Sequence, residues 1–409
     1  MYRIALLSLL ALFQSVSADI AFEMVHTSGH PIRLGVPEFT DQDESTRMVS
    51  DLMHAIVSQD LARSGVIGVV ESLSDMEVAG FMKYGSKGLE LTIKVNDNDT
   101  IGAKLEDVSR TFYFDQQHYR QAAHHVSDFI YQQLTGYQGV FSTKIAYIHK
   151  FKQQGQMHYR LEVADADGAN VEAYLDSTEP LMSPRWSPDG KHIMYVSFEN
   201  EKAAIFLVDA LTKKREVIAD YPGINNAPTW HPSGKKVAFT LTIDGSPNIY
   251  EMDLNSRKLV ALTHGWSINT EPTYSKDGKK MYFTSNRSGS PQIYAMDLAS
   301  KNITRLTYQG RYNASPIIND DDVLAMLHHT QKGFSIASMS NNDLMVLVDS
   351  QFEQTPSFSP NGQFLVYATL WQQKSILGIV SVDGNIHMRL NLDDVPGEIQ
   401  DPDWSPWFV

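Results

Sequence analysis

Apolar and polar residues follow two different periods along this chain. From residue 139 to the C-terminus, short apolar runs alternate with turns rich in Pro, Asp, Asn and Gly. Within these runs apolar residues recur at every second position, as at Val237 and Phe239 and again at Met281 and Phe283. A period of two is that of a β-strand. The pattern therefore predicts an all-β region over residues 139–409.

One short motif returns six times in this region. It is most complete as Pro184-Arg-Trp-Ser-Pro-Asp-Gly-Lys191, and its leading prolines are spaced 44, 44, 44, 40 and 46 residues apart. Repeats of about 40 to 45 residues are typical of four-stranded propeller blades. Before the first full repeat lies a unit with three strands only, and after the last lies a single strand around Pro402–Trp404. We therefore expect a six-bladed β-propeller closed by its C-terminal strand, because an open solenoid leaves the split unit unexplained.

Residues 19–138 show a different pattern. Apolar residues at helical spacing predict helices over Ser45–Ser64 and Gln117–Leu134. The segment Ser72–Gly88 is poor in apolar residues in its middle. We expect a small N-terminal α/β domain that joins the propeller through a short hinge at Gly136–Gly139. The strands predicted for this domain are Ile20–Val25, Arg33–Phe39, Val66–Glu71, Leu89–Val95 and Thr111–Phe114.

The first 18 residues have the pattern of a secretory signal peptide. Arg3 precedes the apolar run Ile4–Phe13, which is too short to cross a bilayer as a helix. Val16 and Ala18 occupy the −3 and −1 positions of a cleavage site, so we expect cleavage between Ala18 and Asp19 and export from the cytoplasm. The alternative is an uncleaved core segment.

The composition of the chain excludes several classes of function. The 409 residues contain 34 Lys+Arg, 48 Asp+Glu and no cysteine, for a net charge of −14. An acidic balance argues against a general nucleic-acid binder, which needs clustered basic residues. Without cysteine there is no disulfide, thiolate zinc site or cysteine nucleophile.

Familiar catalytic motifs are not found. The sequence has no G-x-S-x-G elbow and no H-E-x-x-H helix. Ser233–Lys236 fits S-x-x-K but lies in the repeat turn, and Asp165–Gly168 resembles half a calcium loop but is better explained as a hairpin turn. The pairs His124-His125 and His328-His329 chelate poorly, because adjacent residues face opposite sides of an element.

The residues just before the leading prolines are the main candidates for function. They enter the innermost strand of each blade, so six such entries ring one mouth of the central channel. Exposed aromatic and amide groups in such a ring suit a protein–protein interface. The alternative is that these polar residues only satisfy strand ends, and Glu271 and Asp401 could also hold a channel cation such as calcium. The candidates at the mouth are Ile224, Asn226, Ala227, Asn269, Thr270, Glu271, Ala314, Ser315, Gln354, Thr355 and Asp401.

The sequence resembles the TolB family, the periplasmic component of the Tol–Pal system of Gram-negative bacteria. The resemblance rests on the signal peptide, the α/β domain and the six repeats, together with Pro180–Pro184, Asn269–Thr273 and the terminal Trp404-Ser-Pro-Trp407. Prolyl-oligopeptidase propellers share the blade motif, but no hydrolase domain follows it in this sequence. The segment Ser72–Gly88 looks shorter than its counterpart in the family.

The resemblance implies a monomeric, non-enzymatic adaptor without a cofactor. It implies that the mouth binds the lipoprotein Pal, with Ile224, Ala227, Thr270 and Glu271 as the corresponding positions, and that colicins exploit the same mouth in some members. It also implies that the N-terminal segment binds the C-terminal domain of TolA. The two remaining alternatives are a secreted hydrolase or lactonase with a divalent ion in the channel, and a peptidoglycan- or sugar-binding module. The TolA-binding residues expected from the resemblance are Asp19, Ile20, Ala21, Phe22, Glu23, Met24 and Val25.

Overall fold

The computed structural model describes residues 22–23, 31–42, 44–86, 88–97, 108–349, 355–390, 392 and 396–408. Residues 144–404 form six antiparallel sheets, and the innermost strands of these sheets contact one another in a closed ring. The prediction of a six-bladed propeller is therefore confirmed. We call the strands of each blade A to D, from the channel axis outwards.

Blades 2 to 5 each follow one repeat of the sequence. In blade 2 the strands are Leu181–Trp186, His192–Ser197, Ala204–Asp209 and Arg215–Ala219. In blade 3 they are Asn225–Trp230, Lys236–Leu241, Asn248–Asp253 and Leu259–Ala261. In blade 4 they are Asn269–Tyr274, Lys280–Ser285, Gln292–Asp297 and Ile303–Arg305. In blade 5 they are Asn313–Ile318, Leu324–His329, Phe334–Ser340 and Asp343–Val348.

Blades 1 and 6 depart from this scheme. The C-terminal strand Glu398–Trp404 is strand A of blade 1 and pairs antiparallel with Lys144–Gln153, with Trp404 opposite Ile145. The ring is thus closed by joining the two ends of the propeller sequence, as predicted. Strands C and D of blade 1 are Gln156–Asp165 and Glu172–Ser177. Blade 6 comprises Ser357–Phe358, Phe364–Trp371, Lys374–Ser381 and His387–Leu390, and carries Phe22–Glu23 as a fifth strand.

The N-terminal domain is a six-stranded mixed sheet with two helices. The first helix is Glu44–Arg63; the second is Tyr119–Thr135 and follows the 3-10 turn Gln116–His118. The two helices pack against each other and against the sheet, burying a core that includes Met53, Leu91 and Val126. The strands lie in the order Ile67–Val70, Ile32–Gly35, Met76–Gly85, Gly88–Asp97 and Val108–Phe114, and Thr40–Asp41 also pairs with Met76–Gly85.

This domain agrees with the sequence pattern except in three places. The strand predicted over Ile20–Val25 does not belong to its sheet, because the described residues Phe22–Glu23 pair with Met388 and His387 of blade 6. The segment poor in apolar residues contains a ten-residue strand, Met76–Gly85, in the middle of the sheet. The strand predicted over residues 33–39 is shorter, Ile32–Gly35, and the chain pairs again only at Thr40–Asp41. No helix in the described part of the chain is long and apolar enough to span a bilayer.

Hydrogen bonds from the propeller hold the segment that connects the two domains. The second helix ends at Thr135 and is capped by Gly136, whose φ of 79° is in the left-handed region that glycine tolerates. The carbonyl of Gln138 accepts a hydrogen bond from Asn361 in blade 6 at 2.9 Å. The carbonyl of Gly139 accepts one from the indole N–H of Trp407 at 2.8 Å. We call this interface of the N-terminal domain with blades 1 and 6 the joint.

Candidate functional site

A repeated backbone feature marks the mouth of the channel. In five of the six strands A, the residue before the proline has a positive φ between 49° and 53°, and the pairing with strand B shifts register there. A residue other than glycine in this conformation costs about 1–2 kcal/mol, so the surrounding structure must hold it in place. The five residues are Ser183, Ala227, Glu271, Ser315 and Asp401.

Two carboxylates of this ring brace the neighbouring blade. Glu271 accepts hydrogen bonds from the backbone N–H of Ser315 at 2.8 Å, from the Ser315 hydroxyl at 2.9 Å and from Thr284 at 2.7 Å. Asp401 accepts one from the backbone N–H of Ser183 at 2.9 Å. Glu271 therefore links blade 4 to blade 5, and Asp401 links blade 1 to blade 2. Both carboxylates that the sequence suggested as cation ligands are thus engaged in hydrogen bonds within the protein.

Buried asparagines hold the loops that lead into the mouth. Asn225, Asn269 and Asn313 begin the strands A of blades 3 to 5, and all three are fully buried. Asn269 donates to Asn248 at 2.9 Å, and Asn313 donates to Gln292 at 2.9 Å. The predicted site residue Asn269 is thus a brace below the surface. Ala314 and Ser315 are also buried, with 1% and 6% of their surface exposed.

The accessible surface of the mouth is apolar on one side. Ahead of strands A in blades 3 to 5, Ile224, Trp266, Ile268 and Tyr308 are 52%, 90%, 44% and 71% exposed. Hydrogen bonds from the backbone N–H of Ile224 and of Ile268 to the facing B–C turns, both at 2.8 Å, fix two of these loops. We call these four residues the apolar rim. A cluster of exposed apolar groups beside polar ones is typical of a protein docking surface.

The structure places the other predicted residues beside this rim. Six of the predicted residues are partly exposed and belong to four different blades. Gln354 lies outside the described residues. The sequence interpretation did not name Ile268 and Tyr308; the signal was their position a few residues before the buried asparagines. The predicted residues that are partly exposed in the strands A or at their entrance are Asn226, Ala227, Thr270, Glu271, Thr355 and Asp401.

The N-terminal segment lies on the edge of blade 6. Phe22 pairs with Met388, and Glu23 pairs with His387, in antiparallel register. The segment thus extends the outer strand of that blade next to the joint. The other predicted residues of this segment, Asp19, Ile20, Ala21, Met24 and Val25, lie outside the described residues.

Among the described residues, one set of three donors lies close enough to hold a metal ion, and it is buried at the joint. His124 Nδ1 is 2.7 Å from Asp60, and His124 Nε2 is 3.8 Å from Asp167. The guanidinium of Arg63 lies 2.8 Å from Asp60, and that of Arg120 contacts Asp167. Because these cations already neutralise the carboxylates, we interpret the set as an ion-pair network rather than a metal centre.

Comparison with known proteins agrees with this architecture. A family model described as the TolB beta propeller domain matches residues 131–408. The Tol-Pal system protein TolB of Legionella pneumophila (strain Corby) is 56% identical over 338 residues, covering 82% of this chain and 80% of that protein. The corresponding protein of Hydrogenovibrio crunogenus is 44% identical and covers 96% of both chains. The crystal structure of TolB from Acinetobacter baumannii superposes with a TM-score of 0.85 at 33% identity, covering 95% of this chain and all of that one. The chain therefore belongs to the TolB family of Tol–Pal system proteins.

Proposed function

We propose that this chain is a periplasmic adaptor that binds Pal at the mouth and TolA through its N-terminal segment. In this role it would support outer-membrane integrity and constriction at cell division, after cleavage of residues 1–18 and without catalysis. Its membership in the TolB family supports the assignment to the Tol–Pal system. The observation that best supports a binding role is the apolar rim. It is exposed apolar surface, and it lies beside the five residues with positive φ in the described strands A.

The mouth has the composition expected of a docking surface for Pal. Trp266 and Tyr308 offer large, rigid side chains, the type that most often dominates binding energy. Thr270 and Glu271 add polar groups on the channel side of the rim, and Thr270 accepts a hydrogen bond from Thr240 at 3.2 Å. Its position is therefore fixed before a partner arrives, which lowers the entropy cost of binding.

A charge placed at Thr270 tests the site. We expect Thr270→Arg to weaken Pal binding at least about tenfold in calorimetric titration, since a bulky cation would clash with a packed partner. Thr304→Arg is the matched control, because Thr304 is exposed on the outer strand of the same blade, away from the mouth. If Pal binds the Thr270→Arg protein as tightly as the control, the mouth is not the Pal site.

The N-terminal segment is suited to exchange between two partners. Only two pairs of residues join Phe22–Glu23 to blade 6 in the described chain, and a strand edge of this kind can be replaced by another strand. We propose that TolA binds the segment after it leaves blade 6. Deleting Asp19–Thr27 from the mature protein should abolish TolA binding while Pal binding and the unfolding midpoint persist. Full TolA binding by the truncated protein would locate the site elsewhere.

One alternative retains a specific observation in its favour. Exposed Trp266 and Tyr308 also suit stacking on sugar rings, as in a peptidoglycan-binding module. Soluble peptidoglycan fragments should then bind the wild-type protein and fail to bind Trp266→Ala. The metal-dependent hydrolase is less well supported, because Glu271 accepts three hydrogen bonds from the protein. Heat of binding in a calcium titration would again support the metal-dependent hydrolase.

A further inference from the structure

The joint contains a buried cluster of charges with unequal numbers of each sign. It is formed by both helices of the N-terminal domain and by blade 1, where Lys144 begins strand B, Asp165 ends strand C and Asp167 lies in the turn that follows. Its four carboxylates face three permanent cations and one imidazole. The carboxylates are Asp60, Asp128, Asp165 and Asp167; the cations are Arg63, Arg120 and Lys144; the imidazole is that of His124.

The ion pairs cross from one domain to the other. Arg120 on the second helix lies 3.6 Å from Asp165 and contacts Asp167, both of which belong to blade 1. Arg63 on the first helix lies 3.8 Å from the same Asp167. Lys144 of blade 1 binds Asp165 at 2.7 Å. Opening the joint therefore separates these pairs and exposes their charges to water.

Asp128 binds the segment that connects the two domains. Its carboxylate accepts hydrogen bonds from the backbone N–H groups of Phe141 at 2.7 Å and Ser142 at 3.3 Å, and from the Ser142 hydroxyl. Burial raises the pKa of Asp128 to about 6, and the nearby charge of Asp60 acts in the same direction. The pKa values of Asp60 and Asp165 are lowered instead, because their ion-pair partners outweigh burial, so of these three carboxylates Asp128 takes up a proton most readily near neutral pH.

The imidazole of His124 lies between two carboxylates of the cluster. Nδ1 lies 2.7 Å from Asp60, whereas Nε2 is buried, has no hydrogen-bond partner and lies 3.8 Å from Asp167. Apart from the imidazole, the four carboxylates face three permanent cations, so these groups carry one more negative than positive charge. A proton on Asp128 balances it.

We propose that the joint is controlled by one exchangeable proton held in this cluster, whose release favours opening. The closed joint binds the proton more tightly than an open, hydrated joint does. Opening therefore releases the proton, and the fraction of open molecules rises with pH until the closed form has also lost it. The direction is opposite to that of an ordinary salt-bridged carboxylate, which stabilises a closed form as pH rises.

The cluster lies close to the docked N-terminal segment. Arg63 and Met388 line the same small cavity at the joint, with a volume of about 40 Å³, and Met388 pairs with Phe22. Opening the joint would therefore loosen the edge on which Phe22–Glu23 lies. This consequence for TolA rests on the proposed function, whereas the proton dependence of the joint does not.

Hydrogen–deuterium exchange on the mature protein tests the proposal without any partner. After correction for intrinsic exchange, protection of the Phe141 and Ser142 amides should fall about tenfold between about pH 5 and about pH 7. Asp128→Asn should remove most of this dependence. Asp115→Asn should keep it, because Asp115 is an exposed carboxylate of the same domain, with 73% of its side chain accessible.

Either of two results overturns the proposal. One is equal protection of these amides at both pH values in the wild type, which needs no variant to fold. The other is an unchanged pH dependence in Asp128→Asn. A protein that fails to bind TolA but shows the tenfold change contradicts the proposed function and leaves the proton-controlled joint intact.

Discussion

The mouth and the joint lie at opposite ends of the propeller strands. The exposure of the tryptophan side chains at the two ends is very different. At the mouth Trp266 is 90% exposed on a short loop. At the joint Trp404 is 6% exposed, and its indole N–H donates to Thr143 at 2.8 Å. Both ends are built by one repeat, so the repeat alone does not decide exposure. Position within the repeat does: the residue that ends strand A packs into the propeller, as Trp186 and Tyr274 also do at 6% exposure in blades 2 and 4, whereas Trp266 lies on the loop ahead of strand A.

The charges differ in the same way. At the joint, charged groups are buried in an extended network that spans two domains. At the mouth, Glu271 braces one neighbouring blade and remains partly exposed. A buried network is costly to disturb, whereas a partly hydrated surface can exchange protein contacts for others at little cost. The comparison indicates that the joint holds the molecule together, whereas the mouth keeps the exposed surface that the proposed binding requires.

Truncating one tryptophan at each end should give the largest contrast. We expect Trp404→Ala to lower the free energy of unfolding by about 3–5 kcal/mol, since it leaves a cavity in the strand that closes the ring. Trp266→Ala should change it by no more than about 0.5 kcal/mol. Urea unfolding followed by circular dichroism measures both. Equal losses would mean that Trp266 also supports the fold, which would break the contrast between the two ends.

Removing the bracing carboxylate should have an intermediate effect. Glu271→Ala removes the charged acceptor of three hydrogen bonds and leaves the backbone N–H of Ser315 only the hydroxyl of Thr284 at 3.1 Å, so we expect a loss of about 1.5–3 kcal/mol in the free energy of unfolding. Glu271→Gln keeps one carbonyl oxygen and should lose less than half as much. If both variants are as stable as the wild type, the ring of strained residues does not depend on this side chain, and Glu271 serves binding alone.

The sequence predicted the propeller because every blade repeats the same pattern. The sequence analysis missed the strand Met76–Gly85, although Met76, Val78 and Met82 lie at alternate positions and are buried. Gly80 interrupts that alternation, and it is required there: a Cβ at this position would lie 2.3 Å from the ring of Phe39. A single glycine at a buried position was enough to hide this ten-residue strand from an argument based on apolar period.

The site was predictable in position but not in exposure. Counting back from each proline located the mouth, whereas the burial of Asn269 depends on the partner groups that strands B and C supply. The joint was still harder to predict from the sequence. His124 and the turn Asp165–Gly168 were each noted separately, but their contact depends on how the N-terminal domain lies on blade 1. No local pattern in the sequence contains that information.

The same substitution in two asparagines should give the smallest and most direct contrast. Asn361 at the joint donates its amide N–H to Gln138, whereas Asn286 at the mouth uses its amide oxygen to accept from the backbone N–H of Ile268. Aspartate keeps the oxygen and loses the donor. We therefore expect Asn361→Asp to lower the free energy of unfolding by about 1 kcal/mol.

Asn286→Asp should stay within about 0.5 kcal/mol of the wild type, because its acceptor survives. Both proteins are measured by urea unfolding at neutral pH, where the new carboxylate is ionised. A loss confined to the Asn361 variant would mean that the hydrogen bond across the joint stabilises the whole molecule. Equal effects would mean instead that the added negative charge, and not the lost donor, determines the result, and the joint would then be no more tightly coupled than the mouth.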